Sequence, residues 1–237
     1  MTAPWFFVDA LPAAGSAWSL SREEAKHATG SKRLAAGDAV VLFDGAGRVA
    51  QAILGAAERG RDGALPVVVE RIETIARSDV AGRRVHLASA LPKGDRLATL
   101  VDMTTQLAVA SFAPLRCERS VVAESEHRAE RMRRIQIEAC KQARCAWLPE
   151  LRAETTPATT ARAAPRGSLL VADPSGEPLA ALRATLPAEV TICIGPEGGF
   201  TPSELAAFRA AGATFVSLGP TILRIETAAV VAVAGLR

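Results

Sequence analysis

The sequence has few residues of the kinds that build metal centres and disulfide frameworks. It contains four cysteines and three histidines in 237 residues; the cysteines form no CxxC pair and the histidines lie far apart. We therefore expect no metal site and reduced thiols, as in a cytoplasmic protein. The first residues also lack a basic segment followed by an apolar one, so we expect no secretion signal.

Long apolar runs and phosphate-binding motifs are missing as well. The apolar run 228–236 near the C-terminus is far shorter than the roughly 20 residues that a membrane-spanning helix needs. No Gly-Lys-Ser/Thr sequence occurs, and the glycines do not follow the GxGxxG spacing. These absences exclude a membrane span and disfavour a protein that grips nucleotide phosphates.

Positive charge is concentrated in the middle of the chain. The number of Lys and Arg residues less the number of Asp and Glu residues is −1 for residues 1–75, +6 for 76–166 and −2 for 167–237. A regional excess of this kind predicts a polyanionic partner such as RNA. The C-terminal part has no such excess, which favours a neutral or singly charged ligand there.

A glycine-rich loop near the C-terminus is the most informative stretch. The apolar run 190–194 predicts a buried parallel strand, and the loop 195–200 (GPEGGF) follows it. Thr201, Pro202 and Glu204 then predict a helix start with a capping box. Such a loop between a strand and a helix is a common ligand site.

A second loop has the same character. Residues 218–228 (LGPTILRIETA) follow a predicted strand at 214–217 and lead into a predicted helix at 226–236. A third loop, 173–176, follows a predicted strand at 168–172. Carboxyl ends of parallel strands meet at one edge of an α/β sheet, so we expect the three loops to share a ligand site.

The chain divides into two predicted domains. Residues 1–74 contain several short strands with tight turns, including a hairpin at Asp44-Gly45, and predict a small β-barrel. Residues 75–82 lose periodicity and predict a linker. Residues 83–237 alternate strands and helices, and 127–147 predict a long helix with an apolar stripe and a basic face.

Basic residues in both predicted domains are candidates for RNA contact. They lie near the first short helix, in the turn at 91–95 and along the helix 127–147; the set is His27, Lys32, Arg33, Lys93, Arg131, Arg134, Lys141 and Arg144. The same charges also suit a solvated helix surface, and the pattern alone leaves both interpretations open.

These motifs resemble the paired signature of the bacterial RsmE methyltransferases of the SPOUT class. The resemblance rests on 194–200 (IGPEGGF) and 218–228, with supporting matches at 42–45 (LFDG), 90–95 (ALPKGD) and 118–120 (ERS). It implies a PUA-like β-barrel followed by a trefoil-knotted parallel-sheet domain, and a homodimer. It also implies methylation of N3 of a uridine in 16S ribosomal RNA (uridine 1498, in the decoding region) with S-adenosylmethionine as donor.

The resemblance assigns site residues in the two loops. S-adenosylmethionine has no phosphates, so its pocket needs close backbone and an apolar wall rather than basic side chains. The candidates for cofactor binding are Leu170, Ile194, Gly195, Pro196, Glu197, Gly198, Gly199, Leu218, Gly219, Pro220, Ile222 and Leu223. Arg224 is the candidate to stabilise the uridine anion, and Glu197 or Glu226 to act as base or to orient another group.

Four places depart from the family pattern. Thr221 stands where the family commonly has arginine, Cys145 lies where a Gly-Arg pair is usual, and Trp5 replaces an arginine before the Phe pair. Residues 105–108 (TQLA) replace the usual Thr-Glu-Leu-Gly. Two alternatives are a SPOUT enzyme that acts on a ribose 2′-hydroxyl or another RNA, and a non-catalytic RNA-binding protein. The intact glycines of both loops favour an enzyme.

Overall fold

The computed structural model describes residues 3–56, 65–122 and 125–237. The chain forms two compact units, Met1–Val80 with Cys140–Leu148, and Ala81–Ala139 with Pro149–Arg237. The sequence predicts 83–237 as one domain, whereas the segment Cys140–Leu148 groups with the first unit. Helical periodicity does not show which unit the end of a helix contacts.

The first unit is built on a mixed five-stranded sheet. Its strands are β1 Trp5–Phe7, β2 Ala17–Leu20, β3 Ala39–Phe43, β4 Arg48–Leu54 and β5 Leu65–Thr74, in the order β1-β3-β4-β5-β2. Only β1 pairs in parallel, with β3. Phe6, Leu42 and Val67 are fully buried in its core. The sequence did not predict β2, since Ala and Ser have weak strand preference.

The hairpin turn of this unit lies where the sequence predicts, and one short helix precedes it. Asp44 Oδ1 accepts hydrogen bonds from the amides of Ala46 and Arg48, which closes the β3–β4 hairpin. Helix α1, Arg22–Lys26, is capped by Ser21 and continues into a single π-turn, His27–Ser31.

The second unit is a parallel six-stranded sheet. Its strands are β6 Arg84–Ser89, β7 Ser111–Pro114, β8 Glu150–Leu151, β9 Leu169–Pro178, β10 Glu189–Ile194 and β11 Thr214–Ser217, in the order β11-β9-β10-β6-β7-β8. Every neighbouring pair is parallel. A small β-domain and a parallel α/β sheet confirm the predicted fold class.

Helices cover both faces of this sheet. They are α2 Arg96–Gln106, α3 Glu126–Ala143, α4 Pro157–Ala163, α5 Leu179–Leu182, α6 Pro202–Ala210 and α7 Ile225–Leu236. On one face, Ile192 of β10 packs in a cluster with Leu100 of α2 and Val233 of α7. On the other, Cys193 packs in a cluster with Phe208 of α6. Alternate residues of β10 are therefore buried on opposite sides, as a central parallel strand requires.

Two elements differ from the prediction in length. Helix α3 ends at Ala143 rather than at Trp147, because Arg144 adopts a left-handed backbone (φ 55) and the Cys145 amide turns back to the Cys140 carbonyl. Strand β9 continues through the predicted loop 173–176 as a bulge, where its pairing with β11 jumps from Val171 to Glu177.

Gly176 makes that bulge possible. A Cβ at Gly176 would lie 2.5 Å from the Phe215 carbonyl carbon and the Val216 nitrogen, so only glycine fits against β11.

Among the described residues no helix has the length and apolar character to cross a membrane, and no cluster of His, Cys, Asp and Glu could hold a metal ion.

Candidate active site

A pocket of about 210 Å³ opens at the carboxyl edge of the parallel sheet. Three segments line it: the bulge of β9, the loop after β10, and the loop between β11 and α7. The three loops that the sequence places at one edge therefore come together. The lining residues are Ala172, Asp173, Pro174, Ile194, Gly195, Pro196, Glu197, Gly199, Phe200, Ser217, Leu218, Gly219, Thr221, Ile222, Leu223, Ile225 and Ala228.

The loop after β10 is a tight turn that favours glycine at two places. The Gly199 amide donates to the Pro196 carbonyl at 2.8 Å, which closes a turn over Pro196–Gly199. Gly199 has φ +68, a conformation that glycine adopts without strain. A Cβ at Gly195 would lie 3.0 Å from the Phe200 ring. The backbone of this loop is therefore bare toward the pocket and backed by an aromatic ring.

The start of α6 holds the other end of that loop. Thr201 is the N-cap residue, the Glu204 carboxylate accepts from the Thr201 amide at 2.8 Å, and Pro202 is the first helical residue. This is the predicted capping box. Phe200 packs edge-on against Phe208, with ring centroids 5.2 Å apart, and so ties the loop to the core.

The loop between β11 and α7 supplies an apolar wall. Leu218 and Leu223 are half-buried against the core, while the Ile222 side chain is 81% exposed although it lines the pocket. Gly219 has φ +151, and its carbonyl accepts from the Ser217 hydroxyl at 3.1 Å. An exposed isoleucine at a pocket rim is placed to cover an apolar ligand.

The charged groups that line the pocket are carboxylates. Asp173 and Glu197 are acidic, and none of the described lining residues is Lys or Arg. The Asp173 carboxylate accepts from the Ser175 amide at 2.8 Å and the Ser175 hydroxyl at 2.6 Å. Glu197 Oε1 lies 3.6 Å from Arg96 Nη2, at the start of α2. The lining therefore favours a ligand with positive charge and disfavours phosphates.

Most predicted cofactor residues lie at this pocket. Ile194, Gly195, Pro196, Glu197, Gly199, Leu218, Gly219, Ile222 and Leu223 are in its lining. Leu170 is fully buried in the core beneath it. Gly198 and Pro220 belong to the two loops but not to the lining. Their assignment to a cofactor stays a prediction.

The three catalytic candidates differ in their surroundings. Arg224 is the N-cap residue of α7 and stands between the lining residues Leu223 and Ile225; its exposed guanidinium makes no hydrogen bond or ion pair with any described residue. Glu226, in the first turn of α7, is 9% exposed, and its Oε2 has no hydrogen-bond partner within the described ranges. Glu197 is half-exposed and paired with Arg96.

The RNA candidates of the second unit are solvent-exposed. Lys93, Arg131 and Arg134 all present exposed side chains. Arg131 Nη2 lies 3.4 Å from Asp95 Oδ1, an exposed pair that costs little to open. Their proposed contact with RNA remains untested, but nothing in their burial opposes it.

The RNA candidates of the first unit fall into two groups. Lys32, Arg33 and Arg144 are exposed, and the half-buried His27 ring packs edge-on against Phe6. The Lys141 side chain is only 7% exposed and its ammonium lies 2.9 Å from both Glu24 carboxylate oxygens. Such a buried pair holds Lys141 inside its unit, and helical periodicity could not reveal a partner so distant in sequence.

Sequence reasoning gave no site role to two arginines that contact the glycine-rich loop. Arg96 pairs with Glu197, and Arg119 Nη1 donates to the Gly198 carbonyl at 2.6 Å. Arg96 directly follows the ALPKGD match, and Arg119 lies in the ERS match. Those matches were the available signal, but a motif does not show which backbone atom a side chain reaches.

Comparisons with known families agree with this geometry. The family described as RNA methyltransferase domain matches residues 81–237. The family described as RNA methyltransferase PUA domain matches residues 20–61. The two matches fall in the two parts of the chain for which the sequence predicts catalysis and RNA holding.

Relatives of the same name align with most of the chain. It is 32% identical to the ribosomal RNA small subunit methyltransferase E of Mycobacterium bovis over 98% of this chain and 90% of the relative. The protein of the same name from Synechocystis is 34% identical over 85% of this chain and 66% of the relative. These similarities confirm the resemblance found in the sequence.

Solved structures share the same fold. A Legionella pneumophila methyltransferase determined with bound S-adenosylmethionine superposes with a TM-score of 0.86 at 26% identity, over 100% of this chain and 97% of the other. An rRNA methyltransferase structure from Porphyromonas gingivalis gives 0.83 at 28% identity, over 98% and 95%.

Proposed function

Because the chain belongs to the ribosomal RNA small subunit methyltransferase E family, we propose that it methylates N3 of a uridine in 16S ribosomal RNA, with S-adenosylmethionine as donor. The position that the family resemblance indicates is uridine 1498. The observation that carries the proposal is the pocket at the carboxyl edge, whose charged lining groups are carboxylates.

The lining fits S-adenosylmethionine better than a nucleotide. The donor carries a positive sulfonium and no phosphate, which matches Asp173 and Glu197 and the absence of basic side chains among the described lining residues. No atom lies within 4 Å of the position that a Cβ would take at Gly199, so a ligand can approach the backbone of the loop there. Leu218, Ile222 and Leu223 offer it an apolar wall.

The protein has to align the two reactants and stabilise the base that loses its N3 proton. When bound, the donor supplies a methyl group already activated on sulfur. Holding the reactants in register can contribute roughly 7–11 kcal/mol in favourable cases. The unpaired guanidinium of Arg224, between two lining residues, is placed to stabilise negative charge on the uridine.

A carboxylate is the best available proton acceptor. Glu226 has a buried oxygen without a described partner, and a buried unsatisfied acceptor costs about 1–3 kcal/mol, so it is retained most readily where it has a use. Glu197 is half-exposed and already paired with Arg96. We therefore favour Glu226 over Glu197 as base or orienting group.

RNA would be held by basic residues in each unit. In the second unit these are Lys93, Arg131 and Arg134, and in the first Lys32, Arg33 and Arg144, with His27 beside them. The buried pair with Glu24 removes Lys141 from this set. Phosphate contacts would make binding salt-dependent.

We also propose a homodimer that works in the cytoplasm, where ribosomal subunits are assembled. Support for a dimer comes from large apolar side chains exposed on neighbouring helices, Met103 of α2 and Val231 of α7, together with Ile222. Light scattering on the purified protein measures the mass directly, and a monomer at micromolar concentration would contradict the dimer.

The activity is tested with small ribosomal subunits that lack the modification. The protein is incubated with tritiated S-adenosylmethionine, and the labelled nucleoside and its position are identified after digestion. We expect label in 3-methyluridine at one site. Label in a 2′-O-methyl nucleoside or in transfer RNA would overturn the target, and tight donor binding without transfer would indicate a non-catalytic RNA-binding protein.

A further inference from the structure

A four-residue turn after β7 contacts the glycine-rich loop from outside the pocket. In this turn, Cys117–Ser120, the Ser120 amide donates to the Cys117 carbonyl at 3.0 Å and the Cys117 amide donates to the Ser120 hydroxyl at 2.9 Å. The Cys117 side chain is buried in the core cluster that contains Phe200. Reciprocal hydrogen bonds and a buried anchor make the turn a fixed support.

Burial keeps that anchor chemically inert. Burial, with a smaller contribution from the Glu204 carboxylate, raises the pKa of the Cys117 thiol to about 12. The thiol therefore stays protonated at physiological pH and acts as a small apolar side chain.

The turn makes two polar contacts with the loop and its helix. The Glu118 amide donates to Glu204 Oε1 at 2.8 Å, while the other oxygen of Glu204 accepts from the Thr201 amide. Arg119 Nη1 donates to the Gly198 carbonyl at 2.6 Å. One side of the loop is thus connected to β7 rather than to its own strand.

The contact with Gly198 acts on the peptide that closes the tight turn. The Gly198–Gly199 peptide has its carbonyl on Arg119 and its amide on the Pro196 carbonyl. Both ends of this peptide are hydrogen-bonded, which restrains rotation of its plane. Without Arg119 only the amide end would be held, in a turn with glycine at two successive positions.

We propose that Arg119 is a positioning residue that fixes the Gly198–Gly199 peptide and thereby sets the affinity of the pocket for S-adenosylmethionine. It acts through the backbone of the loop and not by contact with the donor, since neither Arg119 nor Gly198 lines the pocket. This inference rests on the proposed function, because it takes the donor assigned there.

The test is calorimetric titration with S-adenosylmethionine, which needs no RNA and no turnover. We expect Arg119→Ala to raise Kd about tenfold or more, as loss of a hydrogen bond to a charged group does. Arg119→Lys keeps a cationic donor and should recover part of the affinity. In turnover assays, KM for the donor should rise while kcat at saturating donor stays within about twofold.

Arg116→Ala is the matched control. Arg116 lies three residues earlier, and its guanidinium pairs with Glu154 at 3.3 Å instead of the loop. We expect it to leave Kd unchanged. Equal Kd values for the Arg119→Ala and Arg116→Ala variants would overturn the inference and leave the proposed function standing. Failure of the unaltered protein to bind the donor would overturn the proposed function itself, and the inference with it.

Gly198→Ala gives an independent check from the other side of the contact. A Cβ at Gly198 would lie 3.3 Å from Arg119 Cδ, so the arginine must shift to make room. We expect this variant to weaken donor binding in the parent protein and to add little in Arg119→Ala. Full additivity of the two changes would contradict a shared contact.

Discussion

The two edges of the parallel sheet differ in whether their polar side chains have hydrogen-bond partners. The carboxyl edge holds the pocket, an unpaired Arg224 and the unsatisfied oxygen of Glu226. Near the amino edge, His86 Nδ1 lies 2.7 Å from the Ser111 hydroxyl and His86 Nε2 lies 2.6 Å from Glu189 Oε1. There both ring nitrogens have partners on adjacent strands.

The volumes of the two cavities do not distinguish the edges in this way, but the hydrogen bonding of their polar groups does. The groove at the amino edge, lined by His86, Ser111 and Glu189 among others, has about 470 Å³ and is larger than the pocket of about 210 Å³. An ionised carboxylate only accepts, so His86 donates from Nε2 to Glu189 and accepts from the Ser111 hydroxyl. A satisfied network stabilises the sheet, whereas unpaired groups at the other edge are available to a ligand.

The largest expected effect comes from removing the unpaired cation. Arg224→Ala should lower kcat for methyl transfer by roughly 10²–10³, the usual cost of losing one group that stabilises developing negative charge. Donor affinity should stay within about twofold, because Arg224 does not line the pocket. Single-turnover assays with small subunits measure the rate of methyl transfer, and calorimetry measures the donor affinity. A variant that transfers methyl groups at the parent rate would contradict the role.

Replacing each of the two glutamates should have unequal effects on methyl transfer. Glu226→Gln is expected to reduce the rate of transfer about 100-fold, the lower end of what a positioned base contributes, and to change its dependence on pH, since the amide cannot accept a proton. Glu197→Gln is the matched change on a half-exposed carboxylate, and should act mainly on donor KM. If Glu197→Gln has the larger effect on kcat, the assignment of the two residues must be exchanged.

At the amino edge the expected effect is on stability. Ser111→Ala leaves buried Nδ1 of His86 without a donor and should lower the free energy of unfolding by about 1–3 kcal/mol. Thr185→Ala, which removes an exposed hydroxyl bonded within its own turn, serves as the control. Urea unfolding measures both. An altered donor Kd in folded Ser111→Ala would break the contrast between the edges.

The smallest effect is a dependence of stability on pH. Burial lowers the pKa of His86 and outweighs the hydrogen bond that His86 donates to Glu189, which raises it. The unfolded chain therefore takes up a proton near pH 6.5 before the folded protein does, so the free energy of unfolding should fall as pH drops from about 7. Thermal unfolding at several pH values should show a flatter dependence for His86→Gln.

Glu189 adds a second, more acidic window. The hydrogen bond from His86 lowers the pKa of this carboxyl below its usual range. Its contribution to stability is present above the ordinary glutamate pKa and is lost as pH falls through the lowered value. The two windows can be separated, because only the upper one depends on the imidazole taking up a proton.

Local signals in the sequence predicted much of the carboxyl edge. The cap at Thr201, the strand 214–217 and the shared position of the loops all follow from short-range rules on glycine, proline and apolar runs. These rules work there because each feature is decided by neighbours within a few residues. The same holds for the Asp44 hairpin.

Features decided by distant partners could not be predicted. The Lys141–Glu24 pair joins side chains 117 positions apart, and the His86–Glu189 contact joins strands separated by four helices and three strands of the sheet domain. The sequence predicts a loop where β9 has its bulge, because Asp-Pro-Ser-Gly is a typical turn sequence. Its register is set by β11, which lies much later in the chain.

That bulge also bears on how such a pocket can change during evolution. The strand pairing of β9 with β11 stops after Val171 and resumes at Glu177, so residues 172–176 take no part in it. Insertions or deletions at 172–175, before the glycine that fits tightly against β11, would leave both flanking registers intact while moving Asp173, a carboxylate of the pocket rim. A segment that takes no part in the ladder can change without refolding the sheet, so it is a suitable place to graft a new specificity by design.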